Sequence, residues 1–357
     1  MNVDEIYMKR CLELAQQGKG YAAPNPMVGA VLVHNGRIIG EGWHKEYGQA
    51  HAEVNCLDSV AESDKQLVPE SSMYVSLEPC AHYGKTPPCA LRLVQEQVKE
   101  VIICNVDPFE QVSGRGIEIL NGHGIKTTAG ILEAEGNWLN RRFFSFHKHK
   151  RPYIILKWAQ TQNGFFAPKN KLRTQLSNVH SMNLVHKWRT EEAAIMVGHQ
   201  TALMDDPRLT SRTYPGKQPL RIVLDKKLVL PHSLNVFNDE ADTWIINEKK
   251  EEVKDNICFV KLAFDEILLT RLMEGLYKAN KTSLIVEGGA VLLQSFIDAG
   301  LWDEARVFDT DAILDEGVLA PQLTHANTAF STQLEEDTLH VYVNNKSLYP
   351  YVKGGAL

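Results

Sequence analysis

The sequence predicts an α/β protein built as two layered domains, and three observations carry that prediction. Its 357 residues exceed what one hydrophobic core ordinarily serves. Short β-branched runs alternate with helical runs through both halves, the pattern of sheeted strands covered by helices. A basic, aromatic stretch, RRFFSFHKHKRP, interrupts the alternation and closes at Pro152. The expected domains are therefore residues 1–147 and 148–357.

The N-terminal MNVDEIYMKRCLELAQQGKG reads as an amphipathic helix stopped at Gly18 or Gly20. Acids stand early in it and no continuous apolar run follows, so it does not read as a signal peptide. Two β-rich runs then flank Asn35-Gly36, the strongest short hairpin signal. HAEVNCLDSV starts a helix with His51 near its N-terminus. SSMYVSL is a strand broken by Glu78-Pro79-Cys80, ALRLVQEQV is helical, and EVIICNV is another strand. The second half opens with the strand YIILKWAQ. VHKWRTEEAAIMVGHQTALMDD holds a helix, a strand and a turn. PLRIVLD, DTWIIN and TSLIVEGG are further strands, and AVLLQSFIDAGLWDEARVF gives a helix and then a strand.

A formal net charge of −6 supplies no basic field for nucleic acid or anionic membrane. No run approaches the length of an uninterrupted transmembrane helix. The six cysteines (Cys11, Cys56, Cys80, Cys89, Cys104 and Cys258) are sparse and lack disulfide-framework spacing, which suits a reducing cytoplasm. The expectation is a cytoplasmic protein acting on small molecules, without nucleic-acid or membrane partners.

The chemistry concentrates at His51-Ala52-Glu53, Pro79-Cys80 and Cys89. One imidazole and two thiolates leave a zinc tetrahedron one ligand short, and the open position admits water. A carboxylate close by completes a hydrolytic site, in which Glu53 moves protons from the water to the ring nitrogen and the departing ammonia. This is the H-x-E…P-C…C pattern of the zinc deaminases. Positions i and i+2 do not share a helix face, so the pair requires His51 at a helix start. A closed structural zinc site, with His82 or His44 as fourth ligand, is the competing reading. The eight residues AHYGKTPP between the cysteines exceed the two usual in polynucleotide deaminases. They put His82, Lys85 and Thr86 beside the metal, polar and cationic groups that suit a phosphorylated small molecule. A solvated loop is the alternative.

Together these residues carry a resemblance. NPMVGAVLV, GWHKEYGQAHAEVNCL and SLEPCAHYGKTPPC in the first half resemble the bifunctional riboflavin-biosynthesis deaminase–reductase family, RibD. So do LKWAQTQNG, HKWRTEEAAIMVGHQTALMDDPRLTSR, PLRIVLD and LIVEGGAVLLQSF in the second. The resemblance implies a cytidine-deaminase-like α/β/α domain followed by a dihydrofolate-reductase-like α/β domain, with Zn2+ and NADPH as cofactors. It implies deamination of a diaminopyrimidine ribosyl phosphate, then reduction of its ribosyl group to ribityl. By the same resemblance His51, Cys80 and Cys89 bind zinc, Glu53 is the proton shuttle, and Asn25, His44, His82 and Lys85 contact the deaminase substrate. Enzymes of this layout commonly form symmetric assemblies, so a homo-oligomer is expected.

The second half shows no G-x-G-x-x-G. It shows instead a strand ending in Glu287, two glycines and a helix start, a place for a cofactor phosphate or merely a tight turn. Asp205-Asp206-Pro207-Arg208-Leu209-Thr210-Ser211-Arg212 is a charged loop whose arginines suit phosphate or carboxylate, or one another's acids at the surface. The resemblance makes Lys157, Arg189, Leu209, Arg212 and Glu287 substrate contacts. It makes Ala159, Thr201, Asp205, Gly289, Ala290, Val291, Leu292, Leu293, Gln294 and Ser295 cofactor contacts. Two stretches depart from the family pattern: Thr161-Gln162-Asn163 stands for Ser-Leu-Asp, with Asn163 in place of the aspartate, and Gln175-Leu176-Ser177-Asn178 for Trp-Ile-Thr-Ser. A deaminase with a non-catalytic C-terminal domain is the alternative, and a nucleic-acid-editing enzyme is disfavoured by the charge.

Overall fold

Asn2 caps the first helix, α1 (Val3–Gln16), by accepting from the Glu5 N–H while the Glu5 side chain returns to the Asn2 N–H. The hairpin follows, β1 (Gly29–His34) and β2 (Arg37–Trp43), its turn at Asn35 and Gly36 with φ of 46° and 81°. Then come α2 (Ala52–Asp58), a 3₁₀ stretch (Glu62–Glu70), β3 (Ser72–Leu77), α3 (Cys89–Gln95), β4 (Glu100–Asn105), α4 (Arg115–Gly122), β5 (Lys126–Ala129), α5 (Glu133–Leu139) and α6 (Arg141–His149). The computed structural model describes residues 2–81, 83, 87–109, 112–169 and 175–355.

The chain divides into two compact units. One runs to His149 and includes the segment from Val352, and the other is Lys150–Tyr351. A cut after residue 147 would fall within α6, and the unit ends instead where that helix ends.

In the first unit the strand order is β2-β1-β3-β4-β5, with β3, β4 and β5 parallel and β1 antiparallel to both its neighbours. Alternation splits β1, β3 and β4 between two cores. Leu32, Val75, Val101 and Ile103 face α2 and α3, while Val31, Tyr74, Ile102 and Cys104 face α1. Gly42 admits the close approach of α2, whose backbone occupies the place of a Cβ.

The second unit contains β6 (Tyr153–Gln160), β7 (Phe165–Pro168), α7 (Val179–Glu191), β8 (Ala194–Val197), α8 (His199–Asp205), β9 (Leu220–Leu224), β10 (Thr243–Asn247), β11 (Glu252–Lys254), β12 (Ile257–Lys261), α9 (Leu268–Lys278), β13 (Ser283–Val286), α10 (Ala290–Asp298), β14 (Glu304–Asp309), β15 (Gly317–Leu319), β16 (Ala326–Leu334) and β17 (Asp337–Asn344). The turn expected after β8 is the short helix α8. Ten strands form one sheet in the order β11-β12-β10-β9-β8-β13-β6-β14-β17-β16, parallel from β12 through β14. β6 is buried on both faces, Ile154, Leu156 and Trp158 on one and Tyr153 and Ile155 on the other.

Candidate active sites

Two helix starts and a strand end build the first site. His51 is the N-cap of α2, Cys89 is the first residue of α3, and Cys80 lies just past β3. Their ligand atoms all lie within 4.8 Å of one another. Cys89 Sγ is 3.4 Å and Cys80 Sγ 3.6 Å from His51 Nδ1. The Cys89 N–H donates to Cys80 Sγ at 3.3 Å. The Cys89 thiol, with His51 behind it, holds Cys80 well below the usual thiol range. Two sulfurs and an imidazole so gathered fit zinc. Among the described residues no other His, Cys, Asp or Glu cluster does so.

Glu53 sits in the first turn of α2 and is buried. Burial pushes its carboxyl up to about 7, with the Cys80 charge adding and His51 opposing. His44 stands edge-on to His51 with 5.3 Å between ring centres. It does not close the cluster. Its Nδ1 lies 3.1 Å from the Ala50 carbonyl oxygen, and its Nε2 lies 3.2 Å from Asn25 Nδ2. Burial lowers its pKa, so the ring is neutral, with Nδ1 donating and Nε2 accepting. His82 and Lys85 lie outside the described residues.

Glu78, not singled out in the sequence, is buried beside Pro79 and Cys80. One oxygen accepts from Asp107 N and Gly114 N at 3.2 and 3.0 Å, the other from Gly116 N and Ile117 N at 2.9 and 3.4 Å. It ties the segment after β4 to the strand end that carries Cys80. Its sequence signal is an acid immediately before Pro-Cys.

The second unit holds a cavity of about 1100 Å³. Lys157, Ala159, Gln175, Arg189, Thr201, Asp205, Leu209, Arg212, Glu287, Gly289, Ala290, Val291, Leu292 and Ser295 line it. Leu293 and Gln294 do not. Leu293 is buried in the core, and Gln294 bonds to Asp298 and to the Gln322 N–H. A helix cannot turn so many consecutive side chains toward one space. Lys157 is on a central strand rather than a sheet edge, and burial lowers its pKa.

Arg189 gives its fork to Glu287, with contacts of 3.1 and 2.7 Å. The charged loop is likewise not one surface network. Arg208 meets Glu240 at 3.0 Å, and Asp206 accepts from Asn235 N and Nδ2 at 2.6 and 2.8 Å. Arg212 meets His186 Nε2 at 3.0 Å. Asp206 and Leu209 hold left-handed backbones, φ 42° and 58°, strain of the kind that bonding to Asn235 offsets.

The family departures have local explanations. Asn163 accepts from Thr161 Oγ1 at 2.8 Å and donates to the Leu314 carbonyl at 2.6 Å, which a carboxylate would not do. Gln175 lines the cavity and donates to the Ser177 carbonyl at 3.2 Å. His186, Asp225 and Lys226 also line it and were not anticipated. His186 precedes Arg189 by one helical turn, and Asp225-Lys226 ends a strand pattern.

NADPH fits this lining. A Cβ at Gly288 would stand 2.8 Å from Thr201 Cγ2, and Gly289 precedes α10 with φ of 77°. α8 starts after Gly198 on the same cavity, so the first turns of two helices, Gly198–Thr201 and Gly289–Leu292, line it.

Residues 1–105 match the cytidine and deoxycytidylate deaminase zinc-binding region, and residues 152–329 match the RibD C-terminal domain. The riboflavin biosynthesis protein RibD of Aquifex aeolicus is 40% identical over 88% of this chain and 89% of its own. That of Bacillus amyloliquefaciens is 36% identical over 90% and 88%. A crystal structure from Thermotoga maritima, a diaminohydroxyphosphoribosylaminopyrimidine deaminase/5-amino-6-(5-phosphoribosylamino)uracil reductase, superposes with TM-score 0.87 at 31% identity, covering 96% of this chain and 99% of that one. Acinetobacter baumannii RibD gives 0.89 at 30% identity, covering 96% and 98%. Both halves are thus matched in one order on one chain, and the chain belongs to the RibD family of riboflavin biosynthesis, as a bifunctional enzyme with a zinc-dependent deaminase and an NADPH-dependent reductase.

Proposed function

We propose that the first unit deaminates 2,5-diamino-6-(5-phosphoribosylamino)pyrimidin-4(3H)-one and that the second unit, Lys150–Tyr351, reduces the ribosyl group of 5-amino-6-(5-phosphoribosylamino)uracil to ribityl, in that order. The meeting of His51, Cys80 and Cys89 beside buried Glu53 carries the first assignment. His51 Nδ1 and the two sulfurs would hold zinc. Bound there, zinc would lower the pKa of a water and so supply the nucleophile near neutral pH. Glu53 would carry one proton from the attacking water to the pyrimidine ring nitrogen and a second, from the hydroxyl so added, to the amino group that leaves as ammonia. His44, edge-on to His51, and Asn25, hydrogen-bonded to His44, orient the pyrimidine, with His82 and Lys85 assigned to the same substrate.

The second assignment rests on the cavity and its two helix starts. Thr201, Asp205, Ala159, Gly289–Leu292 and Ser295 would hold NADPH, which supplies the hydride. Leu293 and Gln294 contribute through α10 rather than by side-chain contact. Lys157, Leu209, Arg212 and the Arg189–Glu287 pair position the ribosyl phosphate. The non-catalytic alternative for this half is not favoured, because the reductase-domain match spans it.

We further propose that the enzyme is cytoplasmic and forms a homo-oligomer. Six free thiols support a reducing compartment, and among the described residues no helix is long and apolar enough to cross a membrane. The deciding experiment measures ammonia release and NADPH oxidation on the diaminopyrimidine ribosyl phosphate, with and without NADPH. Ammonia in both arms, followed by NADPH consumption, is expected. Ammonia without consumption would overturn the reductase assignment.

A further inference from the structure

Both ring nitrogens of His186 are engaged, and the partners fix which one carries the proton. Nε2 lies 3.0 Å from an Arg212 guanidinium nitrogen, and Nδ1 lies 2.6 Å from Thr213 Oγ1. A guanidinium only donates, so Nε2 must accept and the proton belongs to Nδ1. Nδ1–H then donates to Thr213 Oγ1, whose hydroxyl donates to Asn183 Oδ1 at 3.1 Å. The relay starts at Arg212 on the loop and ends on α7, which carries both Asn183 and His186.

The two ends differ in exposure. His186 is buried at 4% exposure, whereas Arg212 is exposed. An exposed arginine has many rotamers, and fixing it on binding costs affinity unless a neighbour has already fixed it. We propose that His186 is a positioning residue that holds the Arg212 guanidinium toward the cavity in readiness for the 5'-phosphate of the reductase substrate. The inference rests on the assignment of Arg212 to that phosphate. Burial, Arg189, Arg212 and Lys157 all oppose charge on the ring, with Glu287 favouring it, so the accepting state persists at neutral pH.

The test uses the full chain with zinc and NADPH, the phosphoribosylaminouracil substrate and its dephosphorylated form. His186→Leu and His186→Asn remove the Nε2 acceptor that Arg212 uses at His186, because asparagine reaches only as far as Nδ1 did. His186→Gln places an oxygen where Nε2 stood. Leu and Asn should raise KM for the phosphorylated substrate about tenfold, the scale of one charge-assisted hydrogen bond, with kcat nearly unchanged because the binding is uniform. NADPH Kd should also hold, Gln should stay near wild type, and the dephosphorylated substrate should not distinguish the variants. If Gln and Asn behave alike, or KM stays unchanged in Leu, the positioning role is overturned. Should Leu fail to fold, the Gln–Asn pair decides. Arg212→Ala separates the premise. If it leaves KM unchanged, the phosphate assignment itself fails. If it raises KM while the His186 variants do not, only the His186 role fails.

Discussion

His51, Cys80 and Cys89 bring three atoms within 4.8 Å of one another, all from one small sheet and its helix starts. Lys157, Arg189, Arg212 and Glu287 come from a strand, a helix and two loops, and surround about 1100 Å³. The first site depends on coordination, where each donor must stand at bonding distance. The second depends on shape and charge spread over many contacts. A coordination site should fail outright when one donor goes, and a distributed site should fail by degrees.

The largest effect tests the first half of that contrast. Cys80→Ser or Cys89→Ser should lose bound zinc, measured by metal analysis, and with it ammonia release, while NADPH oxidation on the reductase substrate continues. Ammonia release at the wild-type rate would refute the ligand set. Glu53→Gln should keep zinc and slow deamination by roughly 10²–10⁴, the usual worth of a positioned acid–base group. Normal turnover would remove Glu53 as the shuttle.

The second half of the contrast predicts graded losses. Glu287→Gln leaves the Arg189 guanidinium without its carboxylate at a pair only 10% and 6% exposed. Breaking such a pair costs about 3 kcal/mol, seen as a lower melting temperature for the reductase unit. An unchanged melting temperature would show the pair to be unimportant for stability. The smallest effect is in pH. His186 is lowered from 6.5 to about 4 in the folded chain. Below pH 6.5 the unfolded chain takes up the proton first, so stability falls as pH falls from 6.5 toward 4 and then levels. His186→Gln should flatten that part of the melting-temperature profile. An equal slope in both proteins would contradict the shift.

What could be read from the sequence follows the same division. The hairpin was legible because Asn35 and Gly36 adopt the left-handed backbone its turn demands. The gathering of His51, Cys80 and Cys89 was legible because a zinc site dictates residue type. The strand β16 was not, since its exposed and half-buried positions follow no strict alternation. Arg189 and Glu287 were each expected as substrate contacts, and the structure pairs them with each other across more than ninety residues. No local pattern encodes such a pairing. The Gly289 segment was read as a continuous contact surface, but helical periodicity turns Leu293 into the core.

One feature of the large sheet bears on how the chain is made. β6 lies between β13 and β14, yet Ser283, where β13 begins, emerges more than a hundred residues after β6 ends at Gln160. At ribosomal speeds of about 5–20 residues per second, that strand waits on the order of ten seconds for its neighbours. The sheet of the first unit needs nothing beyond Ala129. Synthesis therefore delivers a sheet that can close early, followed by an apolar strand, Tyr153–Gln160, that nascent-chain chaperones have time to cover.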